Sequence, residues 1–545
     1  MHIGAEVQGF VVQGVVGLPI PELSFGSADI AIHREYRLYS IRGYDSGGNG
    51  SCVWQISIFA GAICSGGRAR HLAIALKGVS MKKNMIAMIF IFFMVRGVVL
   101  GQAVDPGPRG GKVGAGAPIA SLSVDQMRFF TDATARFIHV EGVSNGLGPT
   151  FNGNSCGICH SQPAIGGSSP STLAFPFVGP NPQVALANTN QATNKIPFFV
   201  TQDGPVREAR FKFFPATGDR DRDNRNSAAI DGGVHDLFTI QGRLDAPNCT
   251  MAQEDFDLAQ AQNNLSLRIP TPVFGGGLIE SIDDAAILAN MAANSAEKRA
   301  LGIHGHPNRS GNDGTITRFG WKAQNKSLIM FSHEAYSVEI GETNQMFPQK
   351  RGFGGVPPPA SCIFNPQPED QTNYLISGSD TVGVPSDDDA FATFMRFLDQ
   401  PTPSCAGPNC SASIQNGRNI FINVARCALC HAPSMTTGQS SFTVNPPGLS
   451  NVQANLFSDL ILHRMGSKLA DDISQGNAGP DEFRTAPLWG VGQRVFFLHD
   501  GRTSDLLQAI EAHSSPGSEA NAVIRNFNTL TDTQRQDLLN FLRSL

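Results

Sequence analysis

The stretch NSCGICHSQP, Asn154–Pro163, contains the pattern that decides the kind of fold. Cys156 and Cys159 stand three positions apart, and His160 follows the second cysteine directly. Two thiols at this spacing can each add to one vinyl group of a haem, and the adjacent imidazole can then ligate the iron. The pattern predicts a c-type haem, with a redox dithiol and half of a zinc site as the alternatives.

A second copy of the pattern occurs in RCALCHAP, where Cys427 and Cys430 are followed by His431. The four cysteines of the two copies could form one zinc site, but zinc gives no reason for a histidine after both pairs. We therefore predict two covalently bound c-type haems, with both histidines as iron ligands.

Haem attachment of this kind takes place outside the bacterial cytoplasm, so an export signal is expected. The segment MKKNMIAMIFIFFMVRGVVLGQA has two lysines, an apolar run over Met85–Val95 and small residues at its end. The run is too short for a membrane span, which needs about 20 residues. We predict a signal peptide at 81–103 and periplasmic location. Residues 1–80 are then spurious upstream translation or a disordered extension; the alternative is a genuine cytoplasmic extension ahead of a membrane anchor.

Composition fits an exported redox protein. The net charge is only −5, which suggests no nucleic-acid partner. The chain contains 58 Gly and 34 Pro, and these numbers indicate many loops.

Four cysteines remain after residue 103 outside the haem motifs: Cys249, Cys362, Cys405 and Cys410. An even number in an oxidising compartment predicts two disulfides. The sequence leaves all three pairings open, although Cys405 and Cys410 could close a short loop.

Apolar periodicity and capping residues predict helices along the chain. They lie at Val124–Val140, Ser281–Asn294, Asn325–Ile340 and Asp387–Pro403, and in the tail TDTQRQDLLNFLRSL. From Ser411 onward a Gly-bearing helix runs straight into the second haem motif, as it does in small cytochrome c domains. This pattern predicts an N-terminal haem domain, 104–400, and a C-terminal cytochrome c-like domain, 411–545.

Several longer strings resemble one family. They are GLGPTFNGNSCGICHSQPAIGGSSP, TPVFGGGLIESI, GTITRFGWKAQNKSL, LFSDLILHRMG and FRTAPLWGVGQRVFFLHDGRT. They are similar to di-haem oxidoreductases described as peroxidases or thiol oxidoreductases, and more distantly to di-haem cytochrome c peroxidases and di-haem rubber oxygenases. The resemblance covers about 124–540. It implies a mainly α fold of two cytochrome c-type haem domains with long loops, the N-terminal one enlarged.

The resemblance also suggests an iron ligand for the second haem. In the di-haem peroxidases a His-Asp-Gly motif is followed about fourteen residues later by the axial ligand, usually methionine. Here His499, Asp500 and Gly501 are followed at that distance by His513, which we predict to be the distal ligand. Met465 is the alternative. His499 and Asp500 are expected to hydrogen-bond near the site or to shape its loop.

The sixth ligand of the first haem stays open. The histidines in its part of the chain are His139, His235, His304, His306 and His333. A solvated position is the expectation for His139, and surface positions are expected for His304 and His306.

Two further side chains are candidates for catalysis. Glu280 could move a proton between the two oxygens of a peroxide, or it could simply cap a helix or pair with a cation. Trp321 could lie between the porphyrins and carry an electron, or it could be a buried packing residue.

The sequence thus predicts a periplasmic di-haem enzyme. A small cytochrome or cupredoxin would deliver electrons to the C-terminal haem, and the N-terminal haem would reduce peroxide. The alternatives are a non-catalytic electron-transfer cytochrome and a dioxygen-using haem oxygenase. Thiol oxidoreductase activity finds little support, because haem uses each CxxC pair. Calcium between the domains is a further possibility left open.

Overall fold

The computed structural model describes most of the chain beyond residue 101. The described ranges are 102–169, 181–213, 233–353, 356–371, 385–439 and 447–545, with a few isolated strands outside them. Contacts divide the chain into two units, Met1–Gly101 and Gln102–Leu545. The predicted signal peptide at 81–103 lies almost wholly outside the described residues, so it stays a prediction, as does the assignment of 1–80.

The described part of the unit Met1–Gly101 consists of strands joined in antiparallel ladders. These strands are His2–Val7, Phe10–Val15, Asp29–Arg34, Arg37–Asp45, Cys52–Ala60 and Leu72–Ala75.

Short helices separated by long loops form the unit Gln102–Leu545. The described α-helices are Val124–Phe137, Cys156–Cys159, Gln183–Leu186, Phe256–Ala261, Gly276–Glu280, Asp284–Ala292, Ser295–Ala300, Leu328–Ala335, Asp387–Phe397, Ala412–Asn419, Leu506–Ala512, Asn521–Asn528 and Asp532–Ser544. Two of them continue into π-helical turns, Tyr336–Ile340 and Ile420–Val424. Short 3-10 turns complete the helical elements, among them Val143–Asn145 and Cys427–Leu429.

The expectation of a mainly α fold is wrong. Helices account for 34% of the structure and strands for 10%, in several small sheets. One antiparallel sheet has three strands, in the order Leu265–Arg268, Glu208–Phe211, Gly233–His235. Pairs of two or three residues form the others: Thr150–Phe151 with Phe238–Thr239, Asn308–Arg309 with Ile316–Thr317, Asn373–Tyr374 with Gly383–Val384, Met435–Thr436 with Gln453–Ala454, and Leu462–Arg464 with Glu482–Arg484. Short ladders of this kind hold the Gly- and Pro-rich loops against one another. The helical pattern of the sequence does not predict these ladders.

Capping explains where the predicted helices begin. Ser123 accepts a hydrogen bond from Gln126 N, and the Gln126 side chain accepts one from Ser123 N. Thr531 and Gln534 form the same reciprocal box ahead of the last helix. Each box satisfies two backbone N–H groups that the first turn leaves free.

Two large apolar clusters lie within Gln102–Leu545. In the first, Phe137 lies 4.5 Å from Phe394 and 6.0 Å from the His160 ring, measured between ring centroids. In the second, Phe421 packs 5.5 Å from Phe541. Each core therefore supports one of the predicted haem motifs.

Both predicted disulfides are present. Cys249 bonds to Cys362, and Cys405 bonds to Cys410. The four cysteines of the CxxC pairs form no disulfide. Over the described ranges, no helix has the length and apolar character to cross a bilayer.

Candidate functional site: two cavities joined by a tryptophan

The first haem motif lines a cavity of about 1210 Å³. The Ser155 hydroxyl accepts a hydrogen bond from Gly157 N at 3.2 Å and so starts the short helix Cys156–Cys159. This single turn places both sulfur atoms in the cavity wall, and His160 follows as the residue that ends the helix.

The His160 ring is oriented for metal ligation. Its Nδ1 lies 3.0 Å from the carbonyl oxygen of Gly167, and a carbonyl can only accept. The proton therefore sits on Nδ1 and the lone pair on Nε2, the tautomer an iron ligand needs. Burial lowers the pKa of His160 to about 4, so the ring is neutral at pH 7.

The second haem motif lines a separate cavity of about 1460 Å³, together with His513. His431 Nδ1 lies 3.0 Å from the Phe457 carbonyl oxygen, and His513 Nδ1 lies 2.7 Å from that of Ala509. Both rings thus keep a lone pair on Nε2. Burial lowers the pKa of both, that of His431 to about 4. Two neutral imidazoles therefore share one cavity, as two axial ligands would.

Two buried arginines show that the second cavity fits a haem. Arg484 and Arg494 line it, and burial lowers the pKa of each guanidinium to about 10. Among the described residues, Arg494 Nε and Nη2 and Arg484 Nη1 have no hydrogen-bond partner. Buried cationic N–H groups without an acceptor are costly. The propionates of a haem are the kind of anionic acceptor that these groups lack.

A zinc site built from both CxxC pairs is not formed, because the pairs line different cavities. In the described part of the chain, the group of side chains that could hold a metal ion is Cys430, Asp459 and His463, which includes a cysteine of the second haem motif. The predicted calcium ion therefore stays a prediction without a located site.

Trp321 lies in the wall of both cavities. Its indole N–H donates to the Ile269 carbonyl oxygen at 2.8 Å, and its ring meets His499 edge-on at 6.3 Å between centroids. The side chain thus shares a wall with each of the two haem motifs. Its part in electron transfer stays a prediction.

The other candidate ligands of the second haem differ in their freedom to bind iron. His463 cannot offer a free nitrogen, because Nδ1 lies 2.8 Å from Glu519 and Nε2 lies 3.0 Å from Asp459. Met465 lines the cavity and stays an alternative. The His499 ring stacks on Phe483 at 4.4 Å within the same wall.

In the first cavity, His160 is the one histidine that lines the wall over the described residues. His139 is half exposed near Glu141. His235 is fully buried away from the cavity, stacked on Phe211 at 3.7 Å. His304, His306 and His333 do not line it either. The sixth position of a haem held here would face other side chains.

Glu280 lines neither cavity. Its carboxylate accepts from Arg396 Nε at 2.7 Å and from Leu328 N at 2.8 Å, the first N–H of the helix Leu328–Ala335. These contacts match the pairing and capping alternative that its sequence position allowed. The catalytic role of Glu280 stays a prediction that no contact supports.

The carboxyl pair of the first cavity, Glu208 and Glu339, was not foreseen from sequence. Both line the wall, and the two side chains share a hydrogen bond. Burial, and then the nearby Glu208 and Asp236, raise the pKa of Glu339 well above its usual value. Arg210 Nη1 donates to Glu208 Oε1 at 3.0 Å. The pair thus holds a shared proton beside the predicted haem.

One weak sign of this pair is present in the sequence. Glu339 is a charged residue between the apolar Val338 and Ile340 at the end of a predicted helix. Its partner lies 131 positions earlier on a strand that no pattern marked, so only the fold brings the two together.

Comparison of the sequence with known protein families identifies one family. The sequence model of a family described as "Di-haem oxidoreductase, putative peroxidase" matches residues 227–545, more than half of the chain. No curated protein and no solved structure matches. The chain belongs to the di-haem oxidoreductase family, which confirms the resemblance. The match includes the second haem motif and begins after the first.

Proposed function

We propose that this protein is a periplasmic c-type di-haem enzyme that reduces peroxide with electrons from a small carrier protein. Cys156 and Cys159 would attach one haem, and Cys427 and Cys430 the other, through thioether bonds. Family membership supports two haems and oxidoreductase activity. The separate cavities, each with one CxxCH motif, support one haem in each.

The difference between the two cavities is the observation that carries the proposal. The second holds two imidazoles, His431 and His513, both of which would bind the iron of a haem held there. The first holds one imidazole and the Glu208–Glu339 pair. A site with two strong ligands suits electron transfer, whereas a site with one ligand and a proton-sharing pair suits chemistry.

A haem in the first cavity would supply an iron that binds peroxide and accepts electrons for cleavage of its O–O bond. The protein would supply and move protons. Reduction of hydrogen peroxide consumes two protons and two electrons and forms two waters. Glu339, protonated because of its burial, would donate to the leaving oxygen, while Glu208 would accept a proton from the other oxygen. Arg210 stabilises the negative charge on Glu208.

Electrons would pass from the second cavity to the first through Trp321, the side chain common to both walls. Its buried indole would replace solvent between the two sites and shorten the distance over which each electron transfer takes place. A small cytochrome or cupredoxin would deliver electrons to the second haem one at a time.

One observation favours the alternative, a pure electron-transfer cytochrome. The side chain of Met395 reaches the wall of the first cavity. A thioether ligand from Met395 would close the sixth position of the first haem and leave no place for peroxide.

The test uses the haem-loaded, half-reduced protein mixed with hydrogen peroxide. We expect one high-spin haem by electron paramagnetic resonance and rapid oxidation of a reduced carrier. Glu339→Gln should lower turnover by roughly 10²–10⁴-fold, the usual loss of a general acid. Glu280→Gln is the control, because that carboxylate lies outside the cavity, and it should leave turnover close to that of the parent protein.

Two outcomes contradict the proposal. If both haems are low-spin and inert, and Met395→Leu creates a high-spin haem, the protein is an electron carrier. If Glu280→Gln abolishes turnover in a protein that still binds both haems while Glu339→Gln does not, the acid–base assignment fails.

A further inference from the structure

Tyr336 occupies an unusual position in the wall of the first cavity. It is the first residue of the π-helical turn Tyr336–Ile340, and its side chain is buried against Phe391, edge-on at 5.0 Å between centroids. π-helical turns are rare and often lie at functional sites. The phenol ring is thus in the same wall as the predicted haem attachment of Cys156.

Carboxyl groups surround the Tyr336 hydroxyl. Its oxygen lies 3.4 Å from Glu141 Oε1 and 3.5 Å from Asp387 Oδ2. Glu342 is also close, and Asp387 is ion-paired with Arg136. Burial, followed by the neighbouring Glu342 and Glu141, raises the pKa of Tyr336 well above its usual value. The phenol therefore keeps its proton at rest, with carboxylates positioned to accept it.

Trp321 has the opposite surroundings. Its N–H donates to a backbone carbonyl, which does not take up a proton. Oxidation of an aromatic side chain is easier where an acceptor for its proton lies within hydrogen-bonding distance. Trp321 therefore suits passage of an electron, and Tyr336, with carboxyl oxygens beside its hydroxyl, suits loss of an electron together with a proton.

We propose that Tyr336 is a redox-active residue that supplies one electron to the first cavity and passes its phenolic proton to Glu141 or Asp387. This inference rests on the proposed reduction of peroxide, which provides the oxidant. Peroxide requires two electrons per molecule, whereas a carrier protein delivers one. Tyr336 can supply the second electron, and a further molecule of reduced carrier then replaces it.

The step balances. The O–H bond of Tyr336 breaks, one electron goes to the oxidised site, and the proton goes to a carboxylate, which leaves a neutral tyrosyl radical and a carboxylic acid. A later electron from the carrier, with return of the same proton, restores the phenol. Over the cycle, peroxide still consumes two electrons and two protons.

Residues 102–545 contain only one other tyrosine, Tyr374, which gives a matched control. The experiment mixes the haem-loaded protein with hydrogen peroxide in the absence of a carrier, freezes it, and records electron paramagnetic resonance spectra. Ring-deuterated tyrosine identifies a tyrosyl signal by its narrowed hyperfine pattern. We expect this signal in the parent protein and in Tyr374→Phe, and its loss in Tyr336→Phe.

The outcomes separate this inference from the proposed function. Peroxide consumption without any tyrosyl signal, or a signal that survives Tyr336→Phe, overturns the inference and leaves peroxide reduction intact. Absence of peroxide consumption with both haems loaded overturns the proposed function and, with it, the inference. Glu141→Gln removes one proton acceptor and keeps the phenol, so it should reduce the yield of the radical without removing haem. In the double variant Glu141→Gln, Asp387→Asn, an unchanged yield of the radical also counts against the inference.

Discussion

The carboxylate of Asp105 and the guanidinium of Arg543 form two hydrogen bonds of 2.6 and 2.7 Å, although they are 438 residues apart in sequence. The pair is buried, with 5% and 3% of the two side chains exposed. Arg543 also donates to the Arg494 carbonyl oxygen at 2.9 Å, and Arg494 lines the second cavity. The start of the unit Gln102–Leu545 is thus bound to a residue that contacts Arg494 of the second cavity.

We expect Asp105→Ala to destabilise the protein by about 3 kcal/mol, because it leaves a buried guanidinium without its partner. Urea unfolding followed by haem absorbance measures this loss. In Asp105→Ala combined with Arg543→Met the cost should be smaller, since no unpaired charge remains. Equal costs for the single and double variants would show that the pair does not act as a unit.

Glu342 should make the protein less stable in alkali. Burial raises its pKa to about 9, and nearby carboxylates add to the effect. Since the folded state then holds a proton that the unfolded state releases near pH 4.5, stability is full below that pH and declines as pH rises towards 9. Unfolding free energies across this range should fall more steeply for the parent protein than for Glu342→Gln. Parallel curves would refute the assignment.

Replacement of His513 should change the second haem alone. We expect His513→Met to stay low-spin and to raise the reduction potential of this haem, because thioether ligation favours ferrous iron. His513→Ala should create a second high-spin haem. Potentiometry and electron paramagnetic resonance check both. If Met465→Leu, not His513→Ala, produces the high-spin signal, then Met465 is the ligand.

Trp321→Phe should slow electron transfer between the haems while leaving both spectra unchanged. The physical reason is that the indole is the side chain in both cavity walls. Stopped-flow reduction by a small donor, with the two haems resolved optically, measures the rate. Trp489→Phe is the control, since this buried tryptophan lines neither cavity. Equal rates in the two variants would show that electrons take another path.

The two disulfides should differ in their contributions. Cys249–Cys362 closes a loop of 113 residues and Cys405–Cys410 one of 5. Chain entropy alone gives about 5 kcal/mol for the first and about 2 kcal/mol for the second. The double serine variants at each bridge, unfolded in urea, test the order. A larger loss at the short loop would mean that native packing, and not chain entropy, dominates.

Much of the candidate site could be predicted because its chemistry is local. CxxCH needs only five consecutive residues, and a position in the His-Asp-Gly series suggested His513. The helix caps at Ser123 and Thr531 are equally local, since each involves residues only three positions apart. The proportions of helix and strand could not be predicted in this way, because two-residue ladders between loops have no sequence periodicity to detect.

The carboxylates show why the remainder could not be predicted. Glu280 occupies a motif-like string, but its oxygens are used by Arg396 and a helix N-terminus. Glu208 and Glu339 belong to distant segments, and the pKa of Glu339 rises only because the fold buries it beside Glu208 and Asp236. Such a property belongs to the folded arrangement and to neither local sequence.

The π-helical turn has an evolutionary consequence. An α-helix advances about 100° per residue, and a π turn contains one residue more than the α turn it replaces. Deletion of Val338 would convert Tyr336–Ile340 to an ordinary turn and rotate Glu339 out of the cavity wall. Under the proposed function, loss of this one residue would remove the acid–base pair and leave an electron carrier, so relatives that lack Val338 should keep both haems and not reduce peroxide.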